Sequence, residues 1–275
     1  MISTILLSFY YMFFMAGLGM VFDFIVFKRE GKSYLSSGDL PKKLAGLFGF
    51  SVIVTIIMEV SGNIIGNFWF YPYYSFGQYI SLIFFNFFAY CFLLLESYWA
   101  ARSFLKIKIK SGAYSKSFAR LLDGMAELFS YFWIPALIAM LIALKYQEYP
   151  RTLGGLINSK FGNNVPLLAF LAFAICLWLF CEGKSFQRRG PTVLFDLMKG
   201  DYRNIAFALS ASAVTSIVFE YYNLFFSFWV YDNVPFADIN FFNIPVAVFL
   251  AWPLQYLVLI PLYGLVVGKV KHGKS

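Results

Sequence analysis

The chain has 275 residues, of which 60% are hydrophobic, 22% aromatic and only 13% charged, and its formal net charge is +8. Its mean hydropathy of +0.70 lies above that of ordinary soluble domains and predicts a protein with several membrane spans. The single histidine, His272, excludes the di-iron membrane oxygenases, which need several histidine ligands. We expect no metal site and no cofactor.

Hydropathy predicts an all-helical, multi-pass protein of the cell membrane. A spanning helix needs roughly 20 mostly apolar residues. Seven segments meet this length, at about 2–27, 44–66, 77–104, 125–145, 164–182, 204–228 and 242–267. No low-complexity tract or long linker separates them, so residues 1–275 are predicted to form a single transmembrane domain.

The distribution of basic residues predicts the orientation of these helices. Segments 28–43, 102–123, 183–203 and 269–275 hold all but three of the 22 lysines and arginines. The positive-inside rule places these segments in the cytoplasm, with the N-terminus outside and the C-terminus cytoplasmic. The positive charge is thus a topology signal, and we expect no nucleic-acid partner.

One short pattern occurs twice, about 160 residues apart. The peptides NIIGNFWFY and NLFFSFWVY each contain Asn, five further residues and then Trp-x-Tyr, with a Glu shortly upstream. Counted from the basic end of its helix, each Glu lies roughly 25 Å along the helix, in the outer half of the bilayer. The residues are Glu59, Asn63, Trp69 and Tyr71 in the first copy and Glu220, Asn223, Trp229 and Tyr231 in the second.

The two copies lie on helices that run in the same direction, which predicts a parallel repeat of three helices, one connecting helix and three more. Repeat one covers about 1–105, the connecting helix about 124–146 and repeat two about 164–268. Glu96 and Gln255 occupy corresponding places in the third helix of each repeat. The functional site is expected between the two halves.

A glutamate inside a membrane span is costly unless it is paired or faces a polar cavity. Glu59 and Glu220 either make structural interhelical hydrogen bonds or form a functional site, and their matching depth favours the site. Arg102 is a candidate partner for Glu96. Asp23, Glu127 and Glu182 lie near cytoplasmic ends and are expected to meet basic loops. Gly62 and Gly66 form a small-xxx-small pattern, which is typical of helix–helix contacts.

Two buried carboxyls beside aromatic rings suit acid-initiated chemistry. A protonated carboxyl can deliver a proton to an electron-rich C=C bond, and the faces of aromatic rings stabilise the resulting carbocation. A second carboxylate can remove a proton or activate one water. The predicted catalytic residues are Glu59 and Glu220, and the predicted substrate-binding residues are Asn63, Asn223, Trp69, Tyr71, Trp229, Tyr231, Glu96 and Gln255.

The segment from Glu59 to Tyr71 resembles the E-x-x-G-x-x-x-G signature, followed by aromatic residues, of the membrane carotenoid hydratases. The segment from Pro245 to Trp252 resembles their downstream Pro-then-Trp segment. The paired acids also look like those of the heterodimer-type carotenoid cyclases and the small integral-membrane terpene cyclases. This resemblance implies cyclisation or hydration of an isoprenoid, with Glu59 and Glu220 as proton donors. The second copy lacks the glycine pair of the first, and the Pro-Glu-Glu motif of the carotenoid cyclases is missing from the sequence altogether.

Two further hypotheses remain open. The repeat of three, one and three helices also occurs in sugar carriers, so the chain could be a transporter of a small solute or lipid. It could instead be a non-catalytic lipid-binding protein in which the acids only fix the packing of helices. In each case the expected partner is a membrane lipid, an isoprenoid or a small solute.

Overall fold

A computed structural model describes residues 2–36, 38–65, 68–72, 76–108, 115–145, 165–231, 239–241 and 244–267. These residues are mostly helical, and a π-helical segment, Glu59–Ile65, continues the second helix. Four strands of two residues each are β1 (Trp69–Phe70), β2 (Val230–Tyr231), β3 (Asn240–Phe241) and β4 (Ile244–Pro245). The helices are α1 (Ile2–Glu30), α2 (Leu40–Met58), α3 (Phe76–Leu105), α4 (Lys116–Phe129), α5 (Trp133–Lys145), α6 (Val165–Gln187), α7 (Leu194–Met198), α8 (Arg203–Phe226) and α9 (Val246–Val267).

Six helical stretches within the described residues are long and apolar enough to cross a membrane. This confirms the predicted all-helical membrane architecture. The predicted span at 164–182 coincides with helix α6, which is not one of the six, so the seventh span remains a prediction. The six stretches are Ser8–Glu30, Leu40–Asn63, Ile83–Leu105, Lys116–Ile142, Arg203–Phe226 and Val246–Val267.

The connecting helix predicted at about 124–146 consists of two helices, α4 and α5. Ser130 ends α4, where its hydroxyl donates to the Glu127 carbonyl oxygen at 2.7 Å. Pro135 lies in the first turn of α5, where its missing N–H leaves no helical hydrogen bond unmade. The apolar content of this segment predicted a single helix. The turn that divides it into α4 and α5 lies next to Ser130 and Pro135.

The loop between α1 and α2 follows from local sequence. Gly31 has a φ of +72°, a left-handed conformation that glycine adopts without a steric cost, and its N–H donates to the Phe27 carbonyl at 2.8 Å. Asp39 caps the start of α2 by accepting a hydrogen bond from the Lys42 N–H, and Pro41 follows in the first turn. These signals hold the loop at the end of the bundle.

Helix α3 is the centre of the bundle, because it packs against α1, α2 and α8. Residues 89–98 of α3 are all buried, which means that this stretch is enclosed on every side. Helix α9 packs against α2, α6 and α8. The hydrophobic core lies where these two helices and α8 meet.

One end of the bundle, here called the basic end, collects the helix ends that border the basic segments. Arg29 on α1 donates from Nε to the Ser103 carbonyl of α3 at 3.1 Å, and Arg188, just after α6, donates to the Leu265 carbonyl of α9 at 3.2 Å. The Tyr98 hydroxyl of α3 donates to Asn204 at the start of α8 at 2.7 Å. The orientation of this end relative to a membrane stays a prediction.

Candidate functional site

Glu59 and Glu220 are both buried, with 5% and 1% of their surfaces exposed. Glu59 is the first residue of the π-helical segment, and Glu220 lies on α8. Short π-helical segments inside α-helices are frequent at functional sites. The π-helical position makes Glu59 a candidate for a role beyond packing. Glu220 is a candidate because a buried acid in a membrane helix is costly and is often functional.

Glu59 is held by two residues of its own copy of the repeated pattern. The Tyr71 hydroxyl donates to Oε1 at 2.7 Å, and the Asn63 amide donates to Oε2 at 3.0 Å. The ring of Trp69 lies against Gly62, where an added Cβ would come within 1.9 Å of the ring. Gly62 thus makes room for the ring of Trp69, a residue of its own segment. It was expected to make a helix–helix contact instead. Gly66 lies outside the described residues.

Glu220 is held by the equivalent tyrosine and by a residue from helix α9. The Tyr231 hydroxyl donates to Oε1 at 2.7 Å, and the Trp252 indole N–H donates to the same oxygen at 3.0 Å. Burial, and then the neighbouring Glu220, raises the pKa of Tyr231 well above its ordinary value, so the phenol remains a donor. The other oxygen of Glu220, Oε2, is buried and has no hydrogen-bond partner among the described residues.

The segments that carry the tyrosine partners of the two acids are paired with each other. Strands β1 and β2 pair in antiparallel orientation, with Trp69 opposite Tyr231 and Phe70 opposite Val230. Each strand carries or leads directly into the tyrosine that holds its own glutamate. The two copies of the sequence pattern are therefore joined at one place, and the pairing is centred on Phe70 and Val230.

The two asparagines differ in what they bind. Asn63 donates to Glu59, whereas Asn223 holds the backbone of Trp229, which it joins through two hydrogen bonds of 3.0 Å each. Ser227, between them, has a left-handed φ of 50° and turns the chain at the end of α8. Asn223 therefore stabilises the turn that brings Tyr231 to Glu220.

A cluster of aromatic rings includes Trp252, which donates to Glu220, and Phe219, its neighbour on α8. The ring of Phe219 lies 5.2 Å from that of Trp252 and 5.4 Å from that of Tyr90, measured between centroids. Tyr11 of α1 extends the cluster, with its ring 6.1 Å from Phe219 and 5.7 Å from Trp229. The rings come from α1, α3, α8, α9 and the segment after α8.

Gln255 and Glu96, the predicted counterparts, lie in different surroundings. Gln255 accepts a hydrogen bond from the Tyr90 hydroxyl, beside the aromatic cluster. Glu96 lies toward the basic end, where Asp23 and Lys43 are the charged groups that act on it most strongly. Arg102 forms no ion pair with Glu96 among the described residues, and its guanidinium lies 5.2 Å from the centroid of the Trp99 ring. The candidate pairing of Arg102 with Glu96 is therefore not formed among these residues.

Sequence patterns did not predict two hydrogen-bond donors near Glu220, namely Trp252 and Tyr90. They also did not predict that two acids bind the backbone of the loops that follow them. Trp252 and Tyr90 reach Glu220 and Gln255 only through helix packing, although Trp252 stands in the segment that carries the carotenoid-hydratase resemblance. Asp23 accepts the Leu35 N–H at 3.0 Å and Glu182 accepts the Leu194 N–H at 3.1 Å. Both acids thus bind loop backbone twelve residues ahead, where meeting basic side chains was expected.

The arrangement offers carboxyl, phenol, indole and amide groups within a ring-rich core. Among the described residues, no three histidine, cysteine, aspartate or glutamate side chains come together as they would around a metal ion. Comparison with protein-family models, curated proteins and solved structures finds no match to this chain. Fold and site together define a helical membrane protein with buried acid–tyrosine pairs.

Proposed function

We propose that this chain is an integral-membrane enzyme that begins cyclisation or hydration of a carotenoid or other isoprenoid by protonating a C=C bond. The observation that carries the proposal is the state of Glu220. One of its oxygens is fixed by Tyr231 and Trp252, and the other is buried without a described partner beside aromatic rings. Such a carboxyl is positioned to give a proton to an apolar substrate.

The proposed reaction uses one proton, which a carboxyl gives to the substrate at the start and a carboxylate takes back at the end. Glu220, protonated at Oε2, gives its proton to one carbon of the C=C bond, and the other carbon becomes a tertiary carbocation. The rings of Tyr90, Phe219 and Trp252 offer their faces to this cation. A second C=C bond then closes a ring and a proton returns to a carboxylate, which yields an isomer. Alternatively, a water adds and loses its proton to the carboxylate, which yields a product one water heavier.

Glu59 is assigned the second carboxyl of this site. The segment that carries its tyrosine partner is paired with that of Glu220 through β1 and β2, and its π-helical position is of a kind found at functional sites. Held by Tyr71 and Asn63, it is suited to take up the proton that the intermediate loses. The parallel repeat of three, one and three helices is part of this proposal, since it accounts for both acids.

The test is expression of the chain in a host that makes lycopene or another polyprenoid, followed by analysis of the extracted lipids. We expect an isomer of changed retention or a product one water heavier. The Glu220→Gln variant should lower product formation by about 10²–10⁴-fold, the range for loss of a general acid. Glu127→Gln, which changes an exposed acid on α4, is the matched control and should keep full activity.

Unchanged lipids across a broad panel of isoprenoid hosts, or full activity of Glu220→Gln, would contradict the proposal. If the glutamine variants of both acids only lowered the melting temperature while each assayed activity survived, the acids would be structural. That outcome would favour the non-catalytic lipid-binding hypothesis.

A second candidate, proton-coupled transport of a small solute, is favoured by one further observation. Buried acids occur at two levels of the bundle, with Glu220 beside the aromatic cluster and Glu96 toward the basic end. Uptake into proteoliposomes measures this activity directly. Uptake that is unchanged in both Glu59→Gln and Glu220→Gln would remove the transporter hypothesis.

A further inference from the structure

Glu96 is a buried acid to which the proposed reaction assigns no step. Only 1% of its surface is exposed, and neither of its carboxyl oxygens has a hydrogen-bond partner among the residues the structure describes. An ionised carboxylate left in this state carries a desolvation cost of several kcal/mol. The group therefore needs a proton, a water or both.

The neighbouring charges do not meet this need through hydrogen bonds. Asp23 already accepts the Ser33 hydroxyl at 2.8 Å and the Leu35 N–H at 3.0 Å. Lys43 donates to the Tyr34 carbonyl at 2.7 Å. Asp23 and Lys43 have opposite charges, so their long-range effects on Glu96 oppose each other.

A small cavity lies beside Glu96 and leads toward the basic end. Its volume is about 30 Å³, and its walls include buried Glu96 and Val26 together with exposed Glu30, Lys32 and Arg102. About 10–15 Å³ of space accessible to a water-sized sphere is enough to hold one water molecule. The cavity therefore has room for water between the carboxyl and the exposed residues of its wall.

We propose that Glu96 is a proton-binding site, separate from Glu59 and Glu220, whose carboxyl exchanges its proton with solution at the basic end through water in this cavity. The protonated carboxyl donates to the water, and its carbonyl oxygen can accept from it. Water in the cavity then gives both carboxyl oxygens a hydrogen-bond partner. The site gives the protein a proton-exchange group at the end away from the aromatic cluster.

The charged and titratable groups around this site come from α1, the loop after it, α2, α3 and α9. They are Asp23 and Glu30 on α1, Lys32 and Tyr34 in the loop, Lys43 on α2, Arg102 on α3 itself and Tyr263 on α9. The Tyr34 hydroxyl donates to the Lys43 carbonyl at 2.8 Å, and Arg203, at the start of α8, is paired with Asp201. No acid other than Asp23 acts on Glu96 among the main electrostatic influences.

Infrared difference spectroscopy of the purified full chain in lipid tests the proposal. Carbonyl-stretch bands of protonated carboxyls should be present at neutral pH, and one component, which shifts in D2O, should be lost in Glu96→Gln while the component of Glu220 remains. Glu127→Gln, at an exposed acid, should leave the band in place. Val26→Leu adds one methylene to the wall of the cavity and should slow the D2O shift by about tenfold or more.

Val21→Leu is the matched control, since Val21 lies on the same helix with 52% of its surface exposed, and it should exchange like the original chain. A spectrum in which Glu96→Gln removes no protonated-carboxyl band overturns the proposal. Equal exchange rates in Val26→Leu and Val21→Leu overturn the route through the cavity. Neither result depends on isoprenoid turnover, so this test stands apart from that of the proposed enzyme.

Discussion

At the scale of single residues, the hydrogen bonds that hold Glu59 depend on a glycine of its own segment, whereas those that hold Glu220 depend on a neighbouring helix. Gly62 leaves room for the ring of Trp69, whose strand leads to Tyr71 and so to Glu59. Glu220 has no such glycine in its own segment and takes its second donor from Trp252 on α9. The same pair of acid and tyrosine is thus built by two different means.

Replacing Gly62 with alanine should displace the Trp69 ring, because the added Cβ would lie 1.9 Å from it. Overpacking of this kind costs about 1–3 kcal/mol of unfolding free energy. We expect a lower melting temperature and a change in tryptophan fluorescence. Gly49→Ala is the control, since nothing lies within 4 Å of its added Cβ, and it should be neutral or stabilising. Equal melting temperatures for the two variants would contradict this account.

Replacing Tyr231 with phenylalanine should weaken the hold on Glu220. The variant loses one hydrogen bond of 2.7 Å and leaves the Trp252 indole as the sole described donor to Oε1. Loss of a buried hydrogen bond costs about 0.5–1.5 kcal/mol, and more if the partner is charged. Thermal unfolding in detergent measures this loss. Tyr10→Phe, at a tyrosine on α1 with 67% of its surface exposed, is the comparison. If both variants melt together, the Tyr231 bond contributes nothing measurable.

At the scale of elements, two acids near helix ends fasten the loops that follow. Asp23 on α1 holds the loop before α2, and Glu182 on α6 holds the turn at the start of α7 by accepting the N–H groups of Val193 and Leu194 at 2.8 and 3.1 Å. The two sequences share no obvious motif, yet each acid reaches twelve residues ahead. This contact fixes how one helix is connected to the next at the basic end.

Glu182→Ala should destabilise the protein more than Asp23→Ala. The first change orphans two backbone N–H groups and the Trp178 indole, whereas the second orphans one N–H, since the Ser33 hydroxyl keeps the Ser36 hydroxyl as a partner at 3.1 Å. Each buried donor left without a partner costs about 1–3 kcal/mol. Hydrogen exchange should rise at residues 193–194 in the first variant and at residue 35 in the second. Glu30→Ala, at an exposed acid, should change neither; protection that survives in both loops would contradict this role.

The helices were predictable because twenty apolar residues in a row have few alternatives to a membrane span. Helices α3 and α8 begin and end within two residues of their predicted bounds. The strand pair was not predictable, since two-residue strands carry no periodic signal. The contacts of Trp252 and Tyr90 were also inaccessible to sequence patterns, because they arise when α3, α8 and α9 pack together. Asn223 has the predicted spacing but a different partner, the Trp229 backbone.

At the scale of the whole molecule, the helix contacts of one half have counterparts in the other. Helix α3 packs on α1 and α2, as α9 packs on α6 and α8. Across the two halves, α3 meets α8 and α9 meets α2. The pairing of β1 with β2 adds a contact between equivalent segments. Proposed acid chemistry and proposed proton exchange both depend on this arrangement, since it puts α3, α8 and α9 in one core.

The most direct test of the account is whether the two Trp-x-Tyr segments pair as described. In antiparallel strands, directly opposed Cα atoms lie about 4.5–5.5 Å apart, which a disulfide can bridge. Cysteines at Phe70 and Val230 should form a disulfide under mild oxidation, detected by mass spectrometry after proteolysis. Cysteines at Phe68 and Val230, offset by two residues along the strand, should form it far more slowly. Equal rates in the two pairs, or no disulfide between positions 70 and 230, would contradict the joining of the acid–tyrosine units on which the proposed function rests.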